Sequence, residues 1–161
     1  MALDPSKWTH KTAAAVQTAM EIATNRSHPN LTPDHLLLAL LGQADGLVLP
    51  LLQRVDVSPL SLRNKVEDRL GQLPSAYGGD APQMNKELSR VFANADIARQ
   101  DLTDEYLSTE HLLLAMNERL DVETEVLLQA LSEVRGSQRV TSQNPEDTYK
   151  SLEKYGTDLT K

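Results

Sequence analysis

Apolar residues recur at helical spacing along most of the chain, and short polar clusters punctuate them. Val16, Ala19 and Ala23 form a stripe that a helix capped by Thr9 would bury, ending near Arg26. Asp4 before Pro5 offers an alternative start. Ser27-His28-Pro29-Asn30 is a turn sequence, after which Leu36 to Leu41 predicts a second helix and Gly42 to Gly46 its end. A short third helix over Leu47 to Val55 and a fourth, capped by Ser58-Pro59 and reaching about Leu70, complete this half.

The pattern then repeats. Leu31 to Ala39 reads LTPDHLLLA and Leu107 to Ala115 reads LSTEHLLLA, and the register holds to Leu51-Leu52-Gln53 against Leu127-Leu128-Gln129. Thr32 or Ser108 is placed to cap each helix, and Asp34 or Glu110 lies in its first turn against the positive dipole end. Asn85 caps a helix carrying Leu88, Val91, Ala95 and Ala98, mirroring the first. After Glu118 the mirror fails, because too little chain remains for two helices before Arg135-Gly136, so one helix is missing or fused.

The expected fold is therefore all-α, a pseudo-twofold double repeat of short helices with the second repeat shortened. Repeat one spans 1–73 and repeat two spans 83–140, forming one domain over 1–140. Between them, residues 74–82 (PSAYGGDAP) collect turn formers and predict an exposed connector. The polar stretch from Gly136 to Asp147 holds too little apolar surface to offset its ordering cost, which predicts a mobile tether and a domain end near Val134 or Val140. Residues 141–148 are assigned to a flexible linker, and 149–161, with helical spacing at Leu152 and Tyr155, to the beginning of a following domain.

Composition narrows the function. The 161 residues carry a formal charge of −7 and show no Lys/Arg cluster, which disfavours a nucleic-acid partner. There is no cysteine, which removes thiol catalysis, thiolate metal sites and disulfides, and is compatible with a reducing cytoplasm. No apolar run approaches the roughly 20 residues needed to span a bilayer, and no signal-peptide core opens the chain. Aromatics make up only 4%, leaving Leu, Ala and Val to build a core suited to close helix packing. His35 and His111 lack a local i, i+4 partner, so a helix-start hydrogen bond explains them better than a metal. No Gly-rich nucleophile elbow marks a hydrolase and no G-x-x-x-x-G-K-[ST] marks an ATP site.

The doubled Asp/Glu-His-Leu-Leu start, the opening Lys7-Trp8-Thr9, the polar linker and the terminal Leu152-Glu153-Lys154-Tyr155-Gly156-Thr157-Asp158-Leu159-Thr160 together closely resemble the amino-terminal region of ClpB-type AAA+ disaggregases. The resemblance covers essentially the whole chain and implies a non-catalytic module tethered to a hexameric, ATP- and magnesium-dependent threading ring. Such a module would engage unfolded or aggregated polypeptide in the cytoplasm, alongside a DnaK-type chaperone, and by itself would be a monomer without cofactor. The alternative is an adaptor-docking domain of a ClpC- or ClpA-type protease unfoldase, whose amino termini share the double repeat.

By the same resemblance, Thr9, Asp104 and Glu110 match a polar trio linked to substrate handling, and Phe92 and His111 fall where a shallow apolar groove would be lined. The family offers an apolar residue in some members where this chain has His111. The residues' own positions give a plainer account for most of these. Thr9 is a helix cap, Glu110 complements a dipole, and Phe92 sits beside the stripe of Leu88, Val91 and Ala95 where core packing is the default. Asp104 alone lacks a capping role.

Overall fold

The computed structural model describes residues 4–76, 81–136 and 140. Among these, eight α-helices follow one another: α1 (His10–Asn25), α2 (Pro33–Leu41), α3 (Val48–Arg54), α4 (Pro59–Gly71), α5 (Lys86–Asp101), α6 (Thr109–Ala115), α7 (Asn117–Leu120) and α8 (Thr124–Arg135). Both proposed starts near the amino terminus exist: Asp4 caps a 3-10 turn over Pro5–Lys7, and the Thr9 hydroxyl caps α1 by accepting from Thr12 N. Asn85 and Ser58 cap α5 and α4 in the same way.

The helices close on one core. α2 and α6 are its axis: every residue of α2 is buried, as are Thr109 to Leu114 of α6. Each lies against the long helix before it, through Ala15, Ala19 and Ala23 of α1 and through Leu88, Val91, Phe92 and Ala95 of α5. Small side chains on α1 let the axes approach closely.

One feature had no sequence signal. Two pairs of extended residues cross between the copies: β1 (Asn30–Leu31) pairs in parallel with β2 (Gln83–Met84), and Trp8 forms an equivalent bridge with Leu107. Under the repeat, Leu31 corresponds to Leu107 and Met84 to Trp8. Each copy thus anchors the residue before its short buried helix on the residue before the other copy's long helix. Runs this short carry no alternation to detect.

The connector is less free than its composition suggested. Ala76 N donates to Ser27 O at 2.8 Å and Pro82 is buried, while residues 77–80 lie outside the described residues.

The shortened second copy resolves as a fusion. α8 carries Leu127-Leu128-Gln129, matching α3, but its last residue, Arg135, grips Glu110 much as Arg69 at the end of α4 grips Asp34. Copy one devotes helices of 7 and 13 residues to this part, and copy two one helix of 12. The consequence is local: Leu52 is wholly buried, whereas its counterpart Leu128 is 37% exposed.

The polar stretch beginning at Gly136 is not uniformly free. Val140 is completely buried against Leu47, Tyr106 and Val134, so chain that reads as tether is anchored at that point. The linker and following-domain assignments beyond it lie outside the described residues.

Candidate functional site

The five residues singled out from sequence all fall inside the molecule. Thr9, Phe92, Glu110 and His111 have no exposed surface, and Asp104 has almost none.

Their arrangement starts from how α5 ends. Thr103 adopts a left-handed backbone with φ 57°, and Asp104 N donates to Arg99 O at 3.0 Å while Thr103 N donates to Gln100 O at 3.0 Å. These bonds form a Schellman cap, which turns the next side chain inward. Asp104 therefore points at the start of α6. There His111 Nδ1 accepts from Ser108 N at 2.8 Å, the reach-back half of a capping box, with histidine where Glu or Gln is usual. That acceptance leaves the ring proton on Nε2, which donates to Asp104 Oδ2 at 2.7 Å.

Arg135 completes the cluster. Its Nη2 donates to Asp104 Oδ1 at 2.6 Å and its Nη1 to Glu110 Oε2 at 2.9 Å. The Ser108 hydroxyl donates to the other Glu110 oxygen. Burial alone would raise the Asp104 pKa, but hydrogen bonds from His111, Arg135 and Val140 N outweigh it and hold the carboxyl at about 2. Thr9 joins through the backbone: its N donates to Leu107 O at 2.9 Å, and Thr12 Oγ1 donates to the same carbonyl at 3.0 Å. Asp104 and Glu110 thus share one guanidinium, and Thr9 is tied to the same α6 start through the Leu107 carbonyl.

This buried constellation holds the fold and offers nothing to a ligand. Phe92 does not line a groove; its ring stacks on Trp8 with centroids 5.4 Å apart, inside the core. His111 does not line one either, because both its nitrogens are engaged and its ring is sealed. Helical phase explains both: Phe92 extends the Leu88–Ala95 stripe inward, and His111 is at the third position of a helix buried on all sides. Among the described residues, no group of three or more His, Asp or Glu is arranged to hold a metal ion.

An apolar groove does exist, farther along α5. Asn94, Ile97, Ala98, Asp101 and Leu102 of this helix and its cap face Leu114 and Ala115 of α6, Asn117 of α7, and Thr124 and Leu128 of α8, around a volume of about 490 Å³. Ile97, 55% exposed, and Leu128 are its open apolar walls. Sequence reasoning missed it, although Ile97 lies off the buried stripe where copy one has Glu21. An apolar residue out of phase with its own core is the available signal, together with the shortened second copy, in which Leu128 is 37% exposed.

Comparison with known proteins agrees with this fold. Residues 7–131 match the family model described as Clp repeat (R) N-terminal domain. A chaperone protein ClpB of Mycobacterium leprae is 41% identical over 98% of this chain and 20% of its own length, so the chain spans about a fifth of such relatives. Among solved structures, the Hsp104 N-terminal domain from Candida albicans superposes with a TM-score of 0.75 at 21% identity, covering 87% of this chain and 99% of that one. The N-terminal domain of the ClpV1 ATPase from an E. coli type VI secretion system superposes at 0.71 with 25% identity, covering 83% of this chain and 88% of the other.

Proposed function

The chain belongs to the Clp repeat N-terminal domain family, a non-catalytic module of Clp chaperones whose ATPase domains are not part of this sequence, and from that premise we propose that it is the substrate-engaging module of an ATP-dependent protein disaggregase. It captures hydrophobic segments of unfolded or aggregated polypeptide in the groove between α5, α6 and α8. A hexameric threading motor in the longer protein then receives them, in the cytoplasm and in cooperation with a DnaK-type chaperone.

The observation that carries the reading is the uncovered wall at Leu128 opposite Ile97. In copy one, α4 buries Leu62, Val66 and Leu70 on this part of the repeat and Leu52 is sealed. In copy two no further helix follows α8 among the described residues, and an apolar surface is left open between two rigid helices. Such a surface costs solubility and favours an apolar partner, each well-buried Leu or Ile contributing roughly 1.5–3 kcal/mol. The buried cluster of Thr9, Asp104, Glu110 and Arg135 supports the groove from behind by fixing the start of α6. The high similarity to ClpB chaperones favours a disaggregase over an adaptor-docking protease unfoldase.

Fluorescence anisotropy with a labelled, permanently unfolded polypeptide tests the reading. Ile97→Asp and Leu128→Asp should each weaken binding about tenfold or more, by analogy with interface anchors, without lowering thermal stability. Unchanged affinity in both variants would place the binding surface elsewhere, and binding to protease adaptors alone would favour the unfoldase reading.

A further inference from the structure

The chain does not leave the domain where its last helix ends. α8 stops at Arg135, and Gly136, with φ 60° and a bond to Ser132 O, turns the backbone away. Yet Val140 returns to the protein surface layer and is held there in two ways. Its N–H donates to Asp104 Oδ1 at 2.8 Å and its carbonyl accepts from Glu105 N at 2.7 Å, while its side chain is completely buried with Leu47, Tyr106 and Val134. Leu47 begins the α3 region of copy one, so both copies contribute to the socket.

Asp104 is the common element. The same Oδ1 that receives the Val140 amide also receives Arg135 Nη2, so one carboxylate binds the end of α8 and the chain beyond it. A turn alone needs neither a buried carboxylate nor a socket for a valine. We propose that Asp104 and the Val140 socket form a clasp that fixes the point where the chain exits the domain, beside the Asp101–Leu102 end of the groove rather than at the end of α8. Asp104 is a positioning residue in this device, acting on the chain that follows it. Closed, the clasp sets where any following tether begins. Open, it releases Val140 and lets that point move. This inference does not depend on what the groove binds.

The Arg139–Val140 peptide bond gives a direct readout, because trypsin cleaves after arginine only when the flanking chain can extend into the protease. Val140→Ser removes the apolar plug and keeps the backbone bonds; Asp104→Asn keeps the shape and removes the charge. In the intact chain, cleavage at this bond should be slow and the Val140 amide protected from hydrogen exchange. Val140→Ser should raise both rates about tenfold or more, as a local opening, while the amides of α2 and α5 keep their protection. Asp104→Asn, if it folds, should do the same. Unchanged rates in Val140→Ser, or a rise shared equally by α2 and α5, would overturn the clasp. So would a wild-type Val140 amide that exchanges freely.

Discussion

The two copies solve one problem with different chemistry. In copy two the Schellman residue Asp104 meets His111, and Arg135 neutralises the carboxylates. In copy one the corresponding Schellman residue is His28, placed by the same cap, with Ser27 at φ 58° and His28 N donating to Ala23 O at 2.9 Å. It meets His35, whose Nδ1 accepts from Thr32 N at 2.9 Å and whose Nε2 lies 2.8 Å from His28 Nδ1. A neutral pair of imidazoles thus replaces an ionised network. The backbone frame is dictated by the turn and the capping box, while the charge placed inside it is free to differ. Copy two, with the heavier buried charge, is also the copy with a helix fused away and a groove open to solvent.

The sharpest way to break the comparison is to remove the arginine from each copy. Arg135→Met leaves Asp104 and Glu110 buried without their cation and should cost about 3–5 kcal/mol. Arg69→Met should cost about 1 kcal/mol or less, because Arg69 is 40% exposed and Asp34 keeps Arg119 at 3.4 Å. Urea unfolding of the two variants measures the difference; equal losses would mean that the copies are held alike.

Acid should separate the copies next. Burial, then the charge of His28 and that of Arg26, hold the His35 pKa down at about 4, only partly opposed by Asp34. A histidine with a depressed pKa binds its proton more readily when unfolded, so its stabilising contribution is present above pH ~6.5 and is lost as pH falls towards 4, on the order of 3 kcal/mol in all. Asp104 has the depressed carboxylate pattern: its contribution is present above pH ~4 and is lost only as pH falls towards 2. Hydrogen exchange across an acid series should therefore show copy one opening first. His28→Asp, which copies the Asp104–His111 pairing into copy one, should shift that first opening to lower pH; an unchanged acid profile would remove the histidine pair from the explanation.

The helix caps should behave more alike. Thr9→Ala and Asn85→Ala occupy equivalent positions and should each cost roughly 0.5–2 kcal/mol, Thr9 more because its hydroxyl also donates to Thr12 Oγ1 in a buried site. Thermal melts of the pair check the order. Smallest of all, Leu60→Ser on copy one, 68% exposed and outside the groove, should change stability by less than about 0.5 kcal/mol and leave polypeptide binding unaltered.

Helix order, caps and the doubled unit were legible because each rests on local signals: the spacing of Leu36 to Leu41, Asn85 before Lys86, Ser58 before Pro59. Thr9, Asp104 and Glu110 were singled out together by the family resemblance. Their role was not legible, because burial depends on what packs above a helix start. Arg135 entered only as the residue before Gly136, and nothing local showed that it reaches back to Asp104. Val140 could be named as one of two domain ends, but its anchoring could not, since a single valine in polar sequence makes no pattern. The cross-copy pairing of Leu31 with Met84 and of Leu107 with Trp8 is tertiary throughout and leaves no mark in either segment.

The most direct measurement is a methyl NMR titration of this chain with an unfolded, hydrophobic polypeptide, comparing equivalent positions in the two copies. The account predicts that Ile97, Leu102, Leu114 and Leu128 shift saturably, while Leu38 and Leu52, their counterparts beneath copy one's full set of helices, stay still. Shifts at Leu38 and Leu52 with none at Ile97 and Leu128 would contradict it.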